Sequence, residues 1–211
     1  MIRAYHFVGE KLRDGRPVPE DGEWLIHEGG LNMCAAGLHA SRQPYDALRY
    51  APGPILCIVD LDGEIIEESD KLVAEKRRIV ARHDATPIIR KFIRHLALAT
   101  RYLWDMPQVV RYYLHSGEGS ERNAAFYETQ HYVSINGELG LSEKRALAIA
   151  KRACSPSAGL NPIRTVKDII WEMRVITVYG ALSPNMEHHL RLDFREMSDA
   201  LFSNTGDKPY G

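Results

Sequence analysis

The chain has 211 residues, of which 28 are acidic and 27 basic, so its formal net charge is −1. This balance provides no overall positive field of the kind that draws proteins to nucleic acids or anionic membranes. No segment approaches the roughly 18 consecutive apolar residues of a membrane span, and the first residues lack the apolar run of a secretory signal. The three cysteines are widely spaced and form no Cys-x-x-Cys pair, which argues against a disulfide scaffold or a thiolate zinc site. We therefore expect a protein of the reducing cytoplasm with no membrane partner.

The first 82 residues have the pattern of β-strands separated by turns. Short runs rich in apolar, β-branched and aromatic residues, bounded by Gly, Pro and Asp, predict strands. These runs cover residues 3–8, 24–27, 37–41, 55–59, 65–66 and 76–82. The run 55–59 is uniformly apolar, which predicts a central strand buried on both faces, and Asp62–Gly63 predicts the turn that ends it. Pro44 can open a short helix between two of these strands.

From Thr86 onward the pattern becomes helical. Thr86 is a suitable N-cap, Pro87 suits the first helical turn, and apolar residues then recur at helical spacing to about residue 102. Further helices are predicted for residues 107–115, 142–153, 161–179 and 184–202. The sequence therefore predicts an α+β protein with a β-rich domain over residues 1–84, a helical domain over residues 85–203 and a loose tail over residues 204–211.

The strand–helix–strand order of residues 37–63, with a ring side chain two residues after Gly37, resembles the centre of the ADP-ribosyltransferase fold. In poly(ADP-ribose) polymerases the matching stretch has the same order, with a Tyr where this chain has His39. The resemblance implies that the N-terminal half is a small mixed β-sheet of that type, followed by an all-helical half. It also implies a slot for the nicotinamide end of NAD, which would be a substrate cleaved without a metal.

The same resemblance assigns candidate catalytic residues. His6 stands where the family has its first-strand His, and His39 where it has its second-strand Tyr or His. This pattern of two histidines resembles the tRNA 2′-phosphotransferase branch, which often has no catalytic Glu. Glu75 is the best-placed carboxylate before the last predicted strand, and its rivals are Glu64, Glu67 and Glu68.

Four further residues are candidates for contacts to the NAD molecule through their rings or hydroxyl groups. They are Tyr5, Ser41, Tyr45 and Tyr50. Ser41 has a structural alternative, because a Ser before a helix commonly serves as its cap, and so has His6, because an isolated His on a strand commonly is a core or surface residue. His131, His188 and His189 lack partners at the spacing of metal ligands, so no metal site is expected.

Charge is distributed unevenly along the chain. An acidic stretch over residues 60–75 is followed by a basic stretch over residues 76–101. Four basic residues of the helix predicted from Thr86 could form a strip that binds the phosphates of a nucleic acid or of NAD: Arg90, Lys91, Arg94 and Arg101. The alternative is a solvated helix face that forms salt bridges with the acidic stretch. We favour this alternative, since the acids are close in sequence and the net charge is near zero.

Two classes of function remain open from the sequence. The first is an NAD-using ADP-ribosyltransferase or NAD glycohydrolase, a glycosyltransferase acting on a protein or nucleic-acid acceptor. The second is a non-catalytic module that binds a nucleotide or nucleic acid on the same fold. The Gly-Leu-His-Ala-Ser and Asp-Lys-Leu-Val-Ala-Glu-Lys segments are also similar to an uncharacterised domain of bacteriophage and bacterial proteins. That likeness implies no activity, and it leaves open a phage nucleic-acid-modifying protein of another class.

Overall fold

The structure, a computed structural model, describes residues 1–203 and divides the chain into two compact units. Of the described residues, unit 1 contains 1–86 and 189–203, and unit 2 contains 87–188. The division after Thr86 lies two residues beyond the expected boundary. The grouping differs from the expected helical domain, because the last helix belongs largely with the β-rich unit. The expected loose tail, residues 204–211, lies outside the described residues.

Unit 1 is built on an antiparallel sheet. Its strands are β1 (Ile2–Val8), β2 (Trp24–Ile26), β3 (Leu38–Ala40), β4 (Ile55–Glu67) and β5 (Leu72–Asp84). β4 pairs with β1 on one edge and with β5 on the other, while the far edge of β5 pairs with β3 and then β2. The α+β architecture is therefore confirmed, and every strand pair of the described sheet is antiparallel where a mixed sheet was expected.

The turn expected at Asp62–Gly63 is wrong. β4 continues through these residues to Glu67, and the chain reverses only at Glu68, whose N–H donates to the carbonyl of Lys71 at 2.9 Å. Gly63 has a φ of +75°, and the β4–β5 register shifts between Asp62 and Ile65. Asp-Gly therefore forms a bulge within a long strand instead of a hairpin turn, and both conformations use the left-handed freedom of glycine.

The strands close on themselves. Tyr5 in β1 and Ser41, directly after β3, exchange two backbone hydrogen bonds of 2.8 and 2.9 Å. The pairing thus runs β1–β4–β5–β3 and back to β1, which removes most unpaired strand edges, as in a small barrel. One face carries a buried apolar cluster: Ala4, Val8, Ala40, Cys57, Val59, Leu61, Leu72, Ala74 and Ile79.

Two helices pack on the other face of unit 1. The short helix α1 (Pro44–Tyr50) begins at the proline, as predicted, and is buried over its first five residues. The last helix, α8 (Met186–Phe202), reaches it through Arg191, which forms a salt bridge with Asp46 at 2.5 Å. Phe202 packs edge-on against His83, with ring centroids 4.9 Å apart. These contacts explain why the C-terminal helix belongs with the N-terminal sheet.

Unit 2 is helical. Its helices are α2 (Thr86–Ala99), α3 (Gln108–Ser116), α4 (Gly119–Asn136), α5 (Leu141–Cys154), α6 (Pro156–Leu160) and α7 (Pro162–Val178). The predicted helices are present, although α2 ends at Ala99 and is followed by a short 3₁₀ turn over Arg101–Leu103. α4 and α6 were not predicted, because residues 119–136 lack a helical apolar period and α6 is a single turn. No helix of the described residues is long and apolar enough to cross a membrane.

Candidate functional site

The closure between β1 and β3 brings the two predicted histidines into one region of unit 1. In the β1–β4 register His6 lies opposite Cys57, on the face of the apolar cluster. His39 lies opposite Val73, and its neighbour Ala40 belongs to that cluster. Because successive strand residues point to opposite faces, the His39 ring lies on the outer face while His6 lies on the inner one. The two rings therefore interact electrostatically without sharing a face.

Arg77 connects the two histidines and was not predicted. It is only 5% exposed, lies on β5 opposite Leu61, and donates a hydrogen bond from Nη1 to the backbone carbonyl of His39. No salt bridge joins it to a carboxylate among the described residues. Burial lowers the pKa of Arg77 to about 10, and only the Cys57 thiol opposes this. Its guanidinium is a buried cation without a counter-charge, which is costly unless an anion binds there.

Both imidazoles are kept neutral by their surroundings. Burial lowers the pKa of His6 well below its ordinary value, and the positive charge of Arg77 and the electrostatic interaction with His39 lower it further. The pKa of His39 is also lowered, first by burial and then by Arg77, while a hydrogen bond with the Gly37 backbone opposes the change. A neutral imidazole offers one hydrogen-bond donor and one acceptor, and the positive charge next to the two rings comes from Arg77.

The outer face carries further polar groups around His39. The Nε2 atom of His39 accepts a hydrogen bond from the backbone N–H of Cys34 at 3.1 Å, which assigns the neutral ring its proton on Nδ1. Lys71 donates from Nζ to the Cys34 sulfur at 2.8 Å, and it lies 5.8 Å from the Tyr50 ring. The Tyr50 hydroxyl donates to Asp70 at 2.7 Å. We call this group, His39, Cys34, Lys71, Tyr50 and Asp70, the His39 face.

Cys34 has a strained backbone. With a φ of +69° it is the only non-glycine residue in the left-handed region among the described residues. An L-residue in that region costs of the order of 1 kcal/mol or more, and such residues cluster at functional sites. The hydrogen bond between Lys71 and Cys34 raises the pKa of Lys71 above its ordinary value, so this ammonium stays charged. The His39 face thus carries one ammonium, from Lys71, and one carboxylate, from Asp70, around a neutral imidazole.

Three of the four residues predicted to contact NAD are buried and do not belong to the His39 face. Tyr5 is fully buried and donates its hydroxyl to Asp199 of α8 at 2.8 Å. Tyr45 is also buried, with the Arg191 guanidinium 5.3 Å from its ring centroid. Ser41 is 1% exposed and pairs with Tyr5 through its backbone. Only Tyr50 joins His39.

The predicted carboxylate does not join the histidines either. Glu75 lies at the Gly63 bulge, where its Oε2 accepts from the backbone N–H of Glu64 at 3.3 Å. The groups that shift the pKa values of the two histidines include no carboxylate. Among the rivals, Glu67 pairs with Arg42 at 2.8 Å, whereas Glu68 lies 3.4 Å from Lys71. Glu68 is therefore the acidic rival closest to the His39 face.

The basic strip divides into two parts. The acids of residues 60–75 pair with cations of unit 1: Asp60 with Arg3 and Arg78, Glu67 with Arg42, Glu68 with Lys71, and Asp70 with Arg49. Arg90 and Arg94 have no carboxylate within ion-pair distance in the described part of the chain, so the favoured salt-bridge interpretation is wrong for them. They line one cavity of unit 2, which neither Lys91 nor Arg101 lines. Arg101 donates to the carbonyl of Leu98 at 3.0 Å.

The residues missed from the sequence carried weak signals. Arg77 could have been found, because strand alternation in β5 gives it the same parity as the buried Ile79. Cys34 and Lys71 are 37 positions apart and no local pattern joins them. Within residues 1–203, no three His, Cys, Asp or Glu side chains gather in a way that could hold a metal ion.

Residues 2–91 match the family model of a domain of unknown function, DUF7666. The matched segment contains His6, His39 and Arg77, and it ends within α2. No curated protein and no solved structure matches the chain.

Proposed function

We propose that unit 1 binds NAD at the His39 face and cleaves its nicotinamide–ribose bond, as an ADP-ribosyltransferase or NAD glycohydrolase. One observation carries the proposal: Arg77 is buried, hydrogen-bonded to the His39 carbonyl, and without a carboxylate partner among the described residues. A guanidinium in this state favours a phosphate-bearing ligand, because the ligand supplies the missing negative charge.

Each residue of the site has a distinct task in this proposal. Lys71 favours binding of the pyrophosphate at the outer face, and Arg77, which is buried opposite Leu61 of the apolar cluster, attracts it through its charge without contacting it. His39 contacts the ribose side of the ligand, and its neutral ring adds no positive charge next to the sugar carbon, where positive charge develops during cleavage. His6 lies on the inner face and acts as a positioning residue, through the electrostatic field that it shares with His39 and Arg77.

The reaction is a substitution at the sugar carbon. The bond between that carbon and the nicotinamide nitrogen breaks, and its electron pair goes to the ring nitrogen, which loses its positive charge. A new bond forms from the sugar carbon to an oxygen of water or of an acceptor. The proton of that oxygen leaves to solvent, because Nε2 of His39 already accepts from the Cys34 N–H.

A second function is favoured by a different observation. The carboxylate expected at the third catalytic position, Glu75, is bonded at the Gly63 bulge, and the two histidines lie on opposite faces. A chain with these features could bind a nucleotide without cleaving it. This second candidate is a nucleotide-binding module that uses the same Arg77 charge.

The experiment measures nicotinamide release by mass spectrometry and NAD binding by calorimetry on the full chain. We compare wild type with His39→Gln and, as a matched control, His115→Gln, since His115 is exposed on α3. Release that is lost in His39→Gln and retained in His115→Gln supports cleavage. Binding without release supports the second candidate. Absence of binding and of release at millimolar NAD contradicts both candidate functions.

We place this activity in the reducing cytoplasm of a bacterial or phage-infected cell, with a protein or nucleic acid as the acceptor.

A further inference from the structure

Unit 2 contains a cavity of about 440 Å³. It is formed by α2, α3, the start of α4 and the segment around α6, and its polar lining residues include Arg90, Arg94, Arg122 and Tyr113. Ligand pockets for small molecules usually have volumes of about 300 to 1,000 Å³. The cavity is therefore large enough for a small ligand and has no part in the function proposed for unit 1.

The cavity gathers three positive charges without a negative one. No Asp or Glu lines it, and no carboxylate lies within ion-pair distance of Arg90, Arg94 or Arg122 in the described residues. Arg90 donates to the carbonyl of Gly159, and Arg94 donates from Nη1 to the carbonyl of Arg90 at 3.3 Å. The Nε atoms of Arg94 and Arg122 are buried and have no hydrogen-bond partner. Buried charged donors without partners are costly, and an anion in the cavity would satisfy them.

Tyr113 supplies an independent observation. It is 7% exposed, lines the cavity, and its hydroxyl makes no hydrogen bond with another described residue. Burial raises the pKa of Tyr113, as does the nearby Cys154, whereas Arg94, Arg122 and Arg90 oppose the increase. The hydroxyl is therefore available to donate to a ligand in the cavity.

The backbone at the cavity also suits an anion. α4 has 18 residues and begins at Gly119, which lines the cavity. Its cap residue, Glu118, makes no side-chain hydrogen bond to the first turn, and the Glu118 carboxylate instead accepts from Tyr112 at 3.2 Å. The first N–H groups and the helix dipole therefore favour negative charge here. At Gly117, with a φ of +71°, an added Cβ would lie 2.5 Å from the Arg94 guanidinium, so this glycine allows the close approach.

We propose that this cavity binds the terminal phosphate of a small phosphorylated ligand, held by Arg90, Arg94, Arg122 and the Tyr113 hydroxyl. A phosphate monoester carries close to two negative charges and several acceptor oxygens, which matches three guanidinium groups and one hydroxyl. A cavity walled by helices suits a terminal group better than a continuous nucleic-acid backbone, whose phosphates each carry one charge and follow one another along an open surface.

The test uses calorimetry on the full chain with inorganic pyrophosphate, AMP and adenosine as probes. The variants are Arg94→Gln, Arg122→Gln and Tyr113→Phe, and the matched control is Arg111→Gln, since Arg111 is exposed on α3 and does not line the cavity. We expect AMP and pyrophosphate to bind and adenosine to fail. Each Arg→Gln variant should weaken AMP binding about tenfold or more, and Tyr113→Phe about three- to tenfold, because a charged donor contributes more than a neutral one.

A second readout keeps the test valid where a variant alters the fold. The melting temperature of wild type should rise with AMP, and Arg111→Gln should preserve that rise. Two results would overturn the proposal. One is the absence of AMP and pyrophosphate binding by wild type at millimolar concentration. The other is tighter binding of an oligonucleotide with a 5′-hydroxyl end than of AMP, which would assign the arginines to internal phosphodiesters.

Discussion

Replacing Arg77 with Met tests whether the buried guanidinium is held for a ligand at a cost in stability. Because burial lowers the pKa of Arg77 to about 10, carrying this charge costs the folded state about 3 kcal/mol. Against this, Arg77→Met loses the hydrogen bond to the His39 carbonyl, which is typically worth about 1.5 to 3 kcal/mol for a charged donor. Met has a similar length and no charge, so the difference predicts a variant between equal stability and about 1.5 kcal/mol greater stability.

The neighbouring arginine on the same strand provides a matched control. Arg78 donates to Asp60 at 3.0 and 3.2 Å, and Asp60 is only 1% exposed. Arg78→Met should therefore destabilise the chain by about 1 to 3 kcal/mol, since it leaves a buried carboxylate with Arg3 as its remaining cation.

The assay is urea unfolding at pH 7, followed by circular dichroism, with NAD binding measured on the same preparations. Arg77→Met should unfold at the same or a higher urea concentration than wild type and should lose NAD binding. A loss of more than about 3 kcal/mol in Arg77→Met would refute the reasoning, because it would mean that the guanidinium has a compensating partner and a structural role.

Three further outcomes are expected. The pKa of His6 is lower in the folded state than in the unfolded state, so its contribution to the free energy of unfolding should be full above about pH 6.5 and fall below that pH. The fall should be at most about 1.4 kcal/mol per pH unit for this residue. In urea unfolding between pH 7 and pH 5, His6→Gln should therefore make the free energy of unfolding less dependent on pH. Asp60→Asn should lower the free energy of unfolding by about 3 kcal/mol, because Arg3 and Arg78 both lose their carboxylate partner. Asp62 is half-exposed, so Asp62→Asn should change the same free energy by less than about 1 kcal/mol. Equal losses in the two variants would contradict the burial argument. Ellman's reagent should react rapidly with one thiol of the native chain, that of the exposed Cys34, because Cys57 and Cys154 are buried and their pKa values are raised to about 12. Saturating NAD should slow the reaction of Cys34. Rapid reaction of all three thiols would be the contrary result.

Much of the fold follows from local patterns in the sequence. The run 55–59 predicted a central buried strand, and Pro44, Thr86 and Pro162 lie at or next to the start of their helices. These predictions succeed because apolar period, proline geometry and capping are local properties. The Asp62–Gly63 turn failed because the same left-handed glycine serves either a turn or a bulge, and the choice depends on pairing with Glu75 and its neighbours across the sheet.

The candidate site could be predicted only in part. His39 was found because it follows a glycine and precedes a helix, which presents a side chain at a strand edge. Its position near His6, on the other face of the sheet, depends on the pairing of Tyr5 with Ser41. This pairing joins residues 36 positions apart in the chain and has no local signal in the sequence. The same limit applies to Lys71 beside Cys34, and to Arg122, which reaches the cavity from a helix without an apolar period.

The most direct test of nucleotide binding at the His39 face is a titration of the chain with NAD, followed through the imidazole proton signals of the histidines by NMR. His39→Gln and His6→Gln assign the two signals. Binding at this face predicts that the His39 signal shifts saturably with NAD in wild type and that Arg77→Met abolishes the shift. A His39 signal that stays unchanged while NAD is present at millimolar concentration would contradict the proposal that this face binds the nucleotide.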